Sequence, residues 1–176
     1  MKSILLLSFL FVSSFCIAQE AKTSSVPGQT SFYAELGGPG ILFSANIDRR
    51  FTKSNLGIGG RIGIGFVTTE TYDNSNGNYN YDMRSVLTVP MQVNYVFGKQ
   101  NSVHTFEVGA GVTVTGKKVD IFDYSEDEGS SVYGTASFMY RRQPKDGGFS
   151  WRIGFTPIIS SGYIQPSAAV SVGYNF

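Results

Sequence analysis

Cysteine is nearly missing from this chain. Its one copy, Cys16, falls inside an apolar N-terminal stretch. Beyond that stretch there is no thiol, which excludes disulfides, cysteine nucleophiles and thiolate metal sites. Charge is scarce too: Asp, Glu, Lys and Arg make up 15% of 176 residues, against roughly 25% in ordinary soluble domains. The 14 basic and 13 acidic residues give a formal net charge of +1, so nothing electrostatic favours nucleic acid as a partner. A single histidine rules out a histidine-pair metal centre, and no metal or other cofactor is expected. No apolar run reaches the roughly 20 residues of a membrane-crossing helix. What is abundant is glycine, with 21 copies, and aromatic residues, at 14%. With a mean hydropathy of −0.03, this composition fits short strands that meet a solvent other than water.

The N-terminus has the build of an export signal. Met1-Lys2-Ser3 carries one positive charge, residues 4–12 are apolar apart from Ser8, and residues 13–18 close the segment. Small side chains at Cys16 and Ala18 fit the −3 and −1 positions, so residues 1–18 are expected to be a signal peptide cleaved after Ala18. Bulky Phe15 before Cys16 argues against lipidation there. Loss of Lys2 leaves 13 basic and 13 acidic residues. Residues 19–30 are polar and are expected to form a flexible periplasmic leader before a single domain over 31–176.

From Ser31 onward the dominant signal is alternation with period two, the mark of strands with two unlike faces. Leu56, Ile58, Ile62, Ile64 and Phe66 oppose Gly57, Gly59, Arg61, Gly63 and Gly65. Leu87, Val89, Met91, Val93, Tyr95 and Phe97 oppose Thr88, Pro90, Gln92, Asn94 and Val96. Phe106, Val108, Ala110, Val112 and Val114 form a third such row, Phe149, Trp151, Ile153 and Phe155 a fourth, and Ala168, Val170, Val172, Tyr174 and Phe176 a fifth. Weaker versions cover residues 41–51 and 132–142, and residues 31–36 supply a short first strand closed by Gly37-Gly38-Pro39-Gly40. Tight turns at 52–55, 98–102 and 144–148 alternate with longer polar loops at 71–82, 117–130 and 160–165. Short turns at one end and long loops at the other predict an all-β, eight-stranded antiparallel up-and-down barrel.

Alternation alone leaves open which face is inside. The small polar face would solubilise an exposed sheet badly but suits a narrow lumen. Aromatics of the apolar face crowd beside the short turns (Phe51, Tyr95, Phe97, Phe106, Tyr140, Phe149, Trp151, Tyr174, Phe176), with a thinner group at Phe66, Tyr133, Phe155 and Tyr163. Two aromatic rows flanking an apolar band match the interfacial girdles of a transmembrane β-barrel. The sequence closes on Val170, Val172, Tyr174 and Phe176 at alternate positions, which looks like the C-terminal assembly signal of bacterial outer-membrane proteins. The chain from about Ser31 resembles the small eight-stranded barrels of the OmpA/OmpX type. Glu35-Leu36-Gly37-Gly38-Pro39-Gly40, with Phe43-Ser44 and Arg49-Arg50-Phe51, resembles the opening of outer-membrane barrel-domain proteins. The resemblance implies a location in the cell outer membrane and a fold, and it carries no activity.

The inward face holds Glu35, Asp48, Arg50, Arg61, Arg84, Glu107, Arg141 and Arg152. Of these, Glu35, Asp48, Arg61, Glu107, Arg141 and Arg152 are expected to form an ion-pair network that plugs the lumen, with Glu107 accepting from Arg61 or Arg152. A selectivity ring for small solutes is the alternative. His104 falls outward beside a short turn, far from the long loops where a catalytic site would sit. The acidic loop 120–128 is expected to be solvated, with cation bridging to lipopolysaccharide as the alternative. The Asp/Asn-rich stretch 73–82 lacks the closing Glu of a calcium loop. These residues point to a monomeric structural or surface-interaction barrel that is no enzyme, its partners being outer-membrane lipid, lipopolysaccharide and, through the last strand, the assembly machinery. The alternatives are a narrow channel or carrier for small or apolar solutes and, behind it, a lipid-modifying enzyme.

Overall fold

In the computed structural model the period-two segments pair into one antiparallel ring. The structure describes residues 28–73, 80–100, 102–121, 129–160 and 163–176. The expected signal peptide, most of the expected leader, and the centres of the 73–82 and 120–128 stretches lie outside the described residues. Ten strand segments follow one another: β1 (Thr30–Gly37), β2 (Phe43–Arg50), β3 (Gly57–Asp73), β4 (Asn80–Phe97), β5 (His104–Val119), β6 (Ser130–Arg142), β7 (Gly148–Phe155), β8 (Ile158–Ser160), β9 (Tyr163–Gln165) and β10 (Ala168–Asn175). Neighbours in sequence pair except β7 with β8 and β9 with β10, and β10 returns to pair with β1 from Ser31↔Asn175 to Gly37↔Ala169, so the sheet has no open side.

The ten segments make eight staves. β7 and β8 are one stave, and β9 and β10 another, because the register runs through each break unchanged: Phe138↔Phe155 continues as Thr135↔Ile158, and Ala168↔Phe155 as Ile158↔Gln165. That register sets Pro157 opposite Pro166. Neither has an N–H, so the rung between them has no donor and the ladder lapses there. Around it Ala136 N–H donates to the Pro157 carbonyl at 3.1 Å and Thr156 N–H to that of Ser167 at 2.8 Å.

The two faces part as the alternation requires. Ile62, Val93 and Val172 are 54%, 57% and 49% exposed, whereas Gln92, Asn94 and Glu107 on the opposite parity are buried. The apolar face is the outside of the barrel. His104 is exposed, its Nδ1 2.5 Å from the Tyr140 hydroxyl and its ring stacked on Tyr140, within an outward row of rings joining Tyr95, Phe97, Phe106, Phe138, Tyr140 and Trp151. Tyr133 departs from the expected girdle. It is 1% exposed and points inward, its hydroxyl donating to the carbonyls of Val119 and, at 2.7 Å, Ser130. Its parity is that of Arg141, so one face of β6 cannot send Arg141 in and Tyr133 out.

Three polar stretches expected as loops are partly strand. β3 and β4 pair on to Asp73↔Asn80, β5 runs through Lys117 and Lys118 to Val119, and β8 and β9 reach Ser160 and Tyr163. Thr- and Tyr-rich sequence favours extended backbone even where it is polar on both faces, which hides it from a hydrophobic alternation test. Among the described residues β2 pairs with β3 only up to Phe66, and β4 with β5 only up to Thr88. From Thr68↔Ser85 outward, β3 and β4 therefore form a two-stranded ribbon beyond the barrel.

The connection from β1 to β2 goes the other way, into the barrel. Gly38, Pro39 and Gly40 form a buried 3-10 turn that approaches β1 to β6 and β10. Residues 41 and 42, expected in strand, belong to this connection. Gly37 opens it at φ 69°, ψ −150°, a conformation reserved for glycine, and a Cβ there would meet the Ala168 carbonyl oxygen. Gly37→Ala is expected to lower stability by about 1–3 kcal/mol, measured as the urea midpoint of refolding into detergent. An unchanged midpoint would mean this connection is not held inside.

Candidate functional site

The inner face near the short turns gathers the barrel's charges. Alternation aims Glu35 (β1), Asp48 and Arg50 (β2), Arg61 (β3), Glu107 (β5), Arg141 (β6) and Arg152 (β7) inward, and all seven are buried. A lone charge in such a place would be very costly, so each needs a partner and further hydrogen bonds.

Glu107, with no exposure, is the hub. Its Oε2 accepts from Arg141 Nη1 at 2.8 Å and from Arg152 Nη1 at 3.3 Å, and its Oε1 from Asn94 Nδ2 at 3.3 Å. Arg141 and Arg152 are direct cross-strand neighbours, a like-charge pair that would repel without the carboxylate between them. Asp48 accepts from Arg50, from Arg141 Nη1 at 3.0 Å and from Asn94 Nδ2 at 3.2 Å. Asp48 is on the second stave and Arg141 on the sixth, diametrically opposed, so these side chains meet across the barrel axis. Glu35 Oε2 takes Arg61 Nη1 at 3.4 Å and Arg152 Nη2 at 3.3 Å.

Four guanidinium groups thus share three carboxylates. The remaining positive charge is spread over neutral partners. Arg152 lies 3.4 Å from the centre of the Tyr33 ring, and its Nε donates to Ser171 Oγ at 2.9 Å. Arg61 reaches the Tyr33 hydroxyl at 3.1 Å and Gln92 Oε1 at 2.5 Å. Arg50 also donates to Asn94 Oδ1 and, at 3.0 Å, to the Gly57 carbonyl. Arg141 Nη2 donates to Ser31 Oγ at 2.8 Å, and Ser31 in turn to Asn175 Oδ1 at 2.5 Å.

The structure brings Glu35, Asp48, Arg61, Glu107, Arg141 and Arg152 together, and of the two partners expected for Glu107 it gives Arg152. Arg141 is a second, unexpected partner, while Arg61 bonds Glu35. Arg84 has the inward parity of β4 yet is exposed, because it stands beyond the last rung shared with β5. Arg50 joins the set, and Tyr33, Gln92 and Asn94 are neutral members that a search for charges passes over. All three have inward parity, and that was the available signal. Val170, Val172, Tyr174 and Phe176 are exposed along the outside of β10, with the Tyr174 and Phe176 rings 5.2 Å apart. Phe176 is tied to the start of β1: its N–H donates to the Thr30 carbonyl at 2.8 Å, and its carbonyl accepts from Gly28 at 2.7 Å.

A second layer lies inside the long-loop end. Val67, Val86, Val119, Tyr133 and Ile158 pack together, with Ile41 and Ile121 against them. This is the apolar core of the molecule among the described residues, and it is enclosed by the staves.

No protein-family model and no curated protein matches the chain. Among solved structures it is similar to the crystal structure of the N-terminal β-barrel domain of Pseudomonas aeruginosa OprF, with a TM-score of 0.56 at 13% identity. The match covers 85% of this chain and 99% of that one. At that identity the likeness is one of fold, and the eight-stave barrel of the OmpA type expected from the sequence is what the chain adopts.

Removing the hub carboxylate takes away the charge between the adjacent Arg141 and Arg152, leaving them only the more widely shared Asp48 and Glu35. Glu107→Ala is expected to cost about 3–5 kcal/mol, and Glu107→Gln less, since an amide oxygen still accepts. Urea titration of the refolded barrel by tryptophan fluorescence measures both. An unchanged midpoint for Glu107→Gln would mean that charge at this position is immaterial.

Proposed function

We propose that this chain is an integral outer-membrane barrel with a structural or surface-interaction role, its lumen plugged by the Arg–Glu–Asp network and free of catalysis. The observation that carries the reading is the inversion of polarity: large apolar side chains stand exposed around the barrel while seven charged ones are buried within it. Water would drive the opposite arrangement, and a hydrocarbon solvent demands this one. A closed ladder meets the second demand of lipid, that every backbone polar group be paired within the protein.

In this reading residues 1–18 direct export, both ends of the barrel domain face the periplasm, and the assembly machinery takes hold of β10, the strand that closes the ring on β1. The β3–β4 ribbon stands on the far side. Its two edges lack barrel partners among the described residues, and such edges recruit further strands, which supports a role in surface contact.

Ile62→Arg or Val93→Arg puts a cation on the lipid face and is expected to cost about 2–4 kcal/mol in lipid vesicles if the residue lies near the midplane. On a water-soluble barrel the same exposed changes would be close to neutral. Planar-bilayer recording of refolded protein, checked by a heat-dependent gel shift, is expected to yield no steady conductance. Steps of solute-sized conductance would favour the narrow channel, and a freely soluble monomer without detergent would remove the membrane reading altogether.

A further inference from the structure

We infer that residues 37–42 form an internal strap that seals the barrel by itself, as a closure distinct from the ion pairs. This rests on the barrel being a closed membrane-spanning one, and it adds a barrier made of backbone to the barrier made of side chains. The connection from Gly37 to Phe43 is short enough to turn outside the barrel as an ordinary hairpin loop. Instead Gly38, Pro39 and Gly40 are buried inside the ring.

Two buried hydroxyls hold them there. Thr113 Oγ1 donates to the Pro39 carbonyl at 2.5 Å, and Thr88 Oγ1 to the Gly40 carbonyl at 3.1 Å. Neither threonine has any exposure, so the hydroxyls answer carbonyls that the fold has carried away from solvent. Ile41 then turns at φ 76°, ψ −75°, the one non-glycine residue with positive φ among the described residues, and packs against the Val67–Tyr133 layer. A β-branched residue keeps such a backbone only where its surroundings impose it.

Fit on the lower side is as tight. A Cβ on Gly38 would stand 2.9 Å from both Ala169 Cβ and Glu35 Oε1, and one on Gly40 would strike the Ser44 side chain. Glu35 Oε1 is the oxygen of that carboxylate with no hydrogen-bond partner among the described residues, and Gly38 lies over it. The strap therefore sits directly on the charged network and beneath the apolar layer. A solute moving along the axis has to displace it even when the ion pairs are broken. A connection lying in solvent would need none of these glycines, hydroxyl anchors or the strained isoleucine.

The test separates the two closures. On a Cys16→Ala background, full-length protein refolded into vesicles carries Pro39→Cys or Leu42→Cys and is treated with a water-soluble maleimide. Leu42 is 46% exposed and should react freely, whereas Pro39→Cys should react at least about tenfold more slowly. Adding Thr88→Val with Thr113→Val should bring the Pro39→Cys rate up towards that of Leu42→Cys. Equal rates at the outset would overturn the strap while leaving a closed barrel intact.

Bilayer recording supplies the second arm. Glu107→Gln alone and the threonine pair alone should stay near the wild-type baseline, and the three changes together should give sustained openings. Full opening by Glu107→Gln alone, or none in the combination, would overturn the strap as a barrier. Steady conductance of the wild type would instead sink the plugged-lumen reading, whatever the labelling gives. Should the valine pair fail the heat-shift check for folding, the comparison of the two cysteines still decides.

Discussion

The constraint on which everything else depends is that the apolar residues of this chain point away from its own centre. Ile62, Val93 and Val172 cannot satisfy a backbone, and neither can the hydrocarbon such a surface is suited to. Each N–H and C=O must then find its partner in the ladder, which forbids a free edge and forces β10 back onto β1. Closure with eight staves fixes a width that side chains nearly fill. The glycines, serines and threonines of the inner face follow from that width. So does the small number of charges, since each one admitted must be neutralised across only a few ångströms.

Neutralisation also accounts for strand register. A slip of β3 by one residue would turn Arg61 outward and bring Ile62 in, separating Arg61 from Glu35, Tyr33 and Gln92 together. Buried ion pairs are poor sources of net stability, because desolvation consumes most of their attraction. Their leverage lies in what they exclude: a shifted register leaves a guanidinium on the apolar outer face or a carboxylate alone. Because Asp48 and Arg141 come from opposite staves and Glu107 bridges the Arg141–Arg152 pair, the penalty for a slip in one hairpin is felt throughout the ring.

Much of this was legible in the sequence, for a definite reason. Period-two alternation is a local property, so the stretch from Leu87 to Phe97 announces both its strand and its two faces without reference to any other residue. Parity likewise sent Asp48, Arg61, Glu107, Arg141 and Arg152 inward. What stayed hidden depends on neighbours distant in sequence. That Arg61 meets Glu35 while Arg141 meets Asp48 is set by the stagger between staves, which no local pattern encodes. The paired ribbon from Thr68↔Ser85 outward was hidden because its sequence is polar on both faces, so alternation of polarity vanishes there. Gly37-Gly38-Pro39-Gly40 has the composition of any turn, and nothing in it tells an inward fold from an outward one.

The direction of that turn follows from a gradient along the inner face. In β3 the inward positions pass from Arg61 through Gly63 and Gly65 to Val67, and in β4 from Asn94 and Gln92 through Pro90 and Thr88 to Val86. In β6 they pass from Arg141 through Met139, Ser137 and Thr135 to Tyr133. Three staves thus grade from charged or amide side chains towards the short-turn end to apolar ones at the long-loop end. A lumen polar throughout would stay wet and would offer a turn such as Gly38-Pro39-Gly40 nothing to bury against. An apolar mouth cannot stay open to water at no cost, and the β1–β2 connection turns in against it. Pro39 and Ile41 supply the apolar surface, while Thr88 and Thr113, at the boundary between the two layers, take up the two carbonyls that come in with it. The same inner-face gradient that confines the charges to one end therefore draws the chain inward at the other.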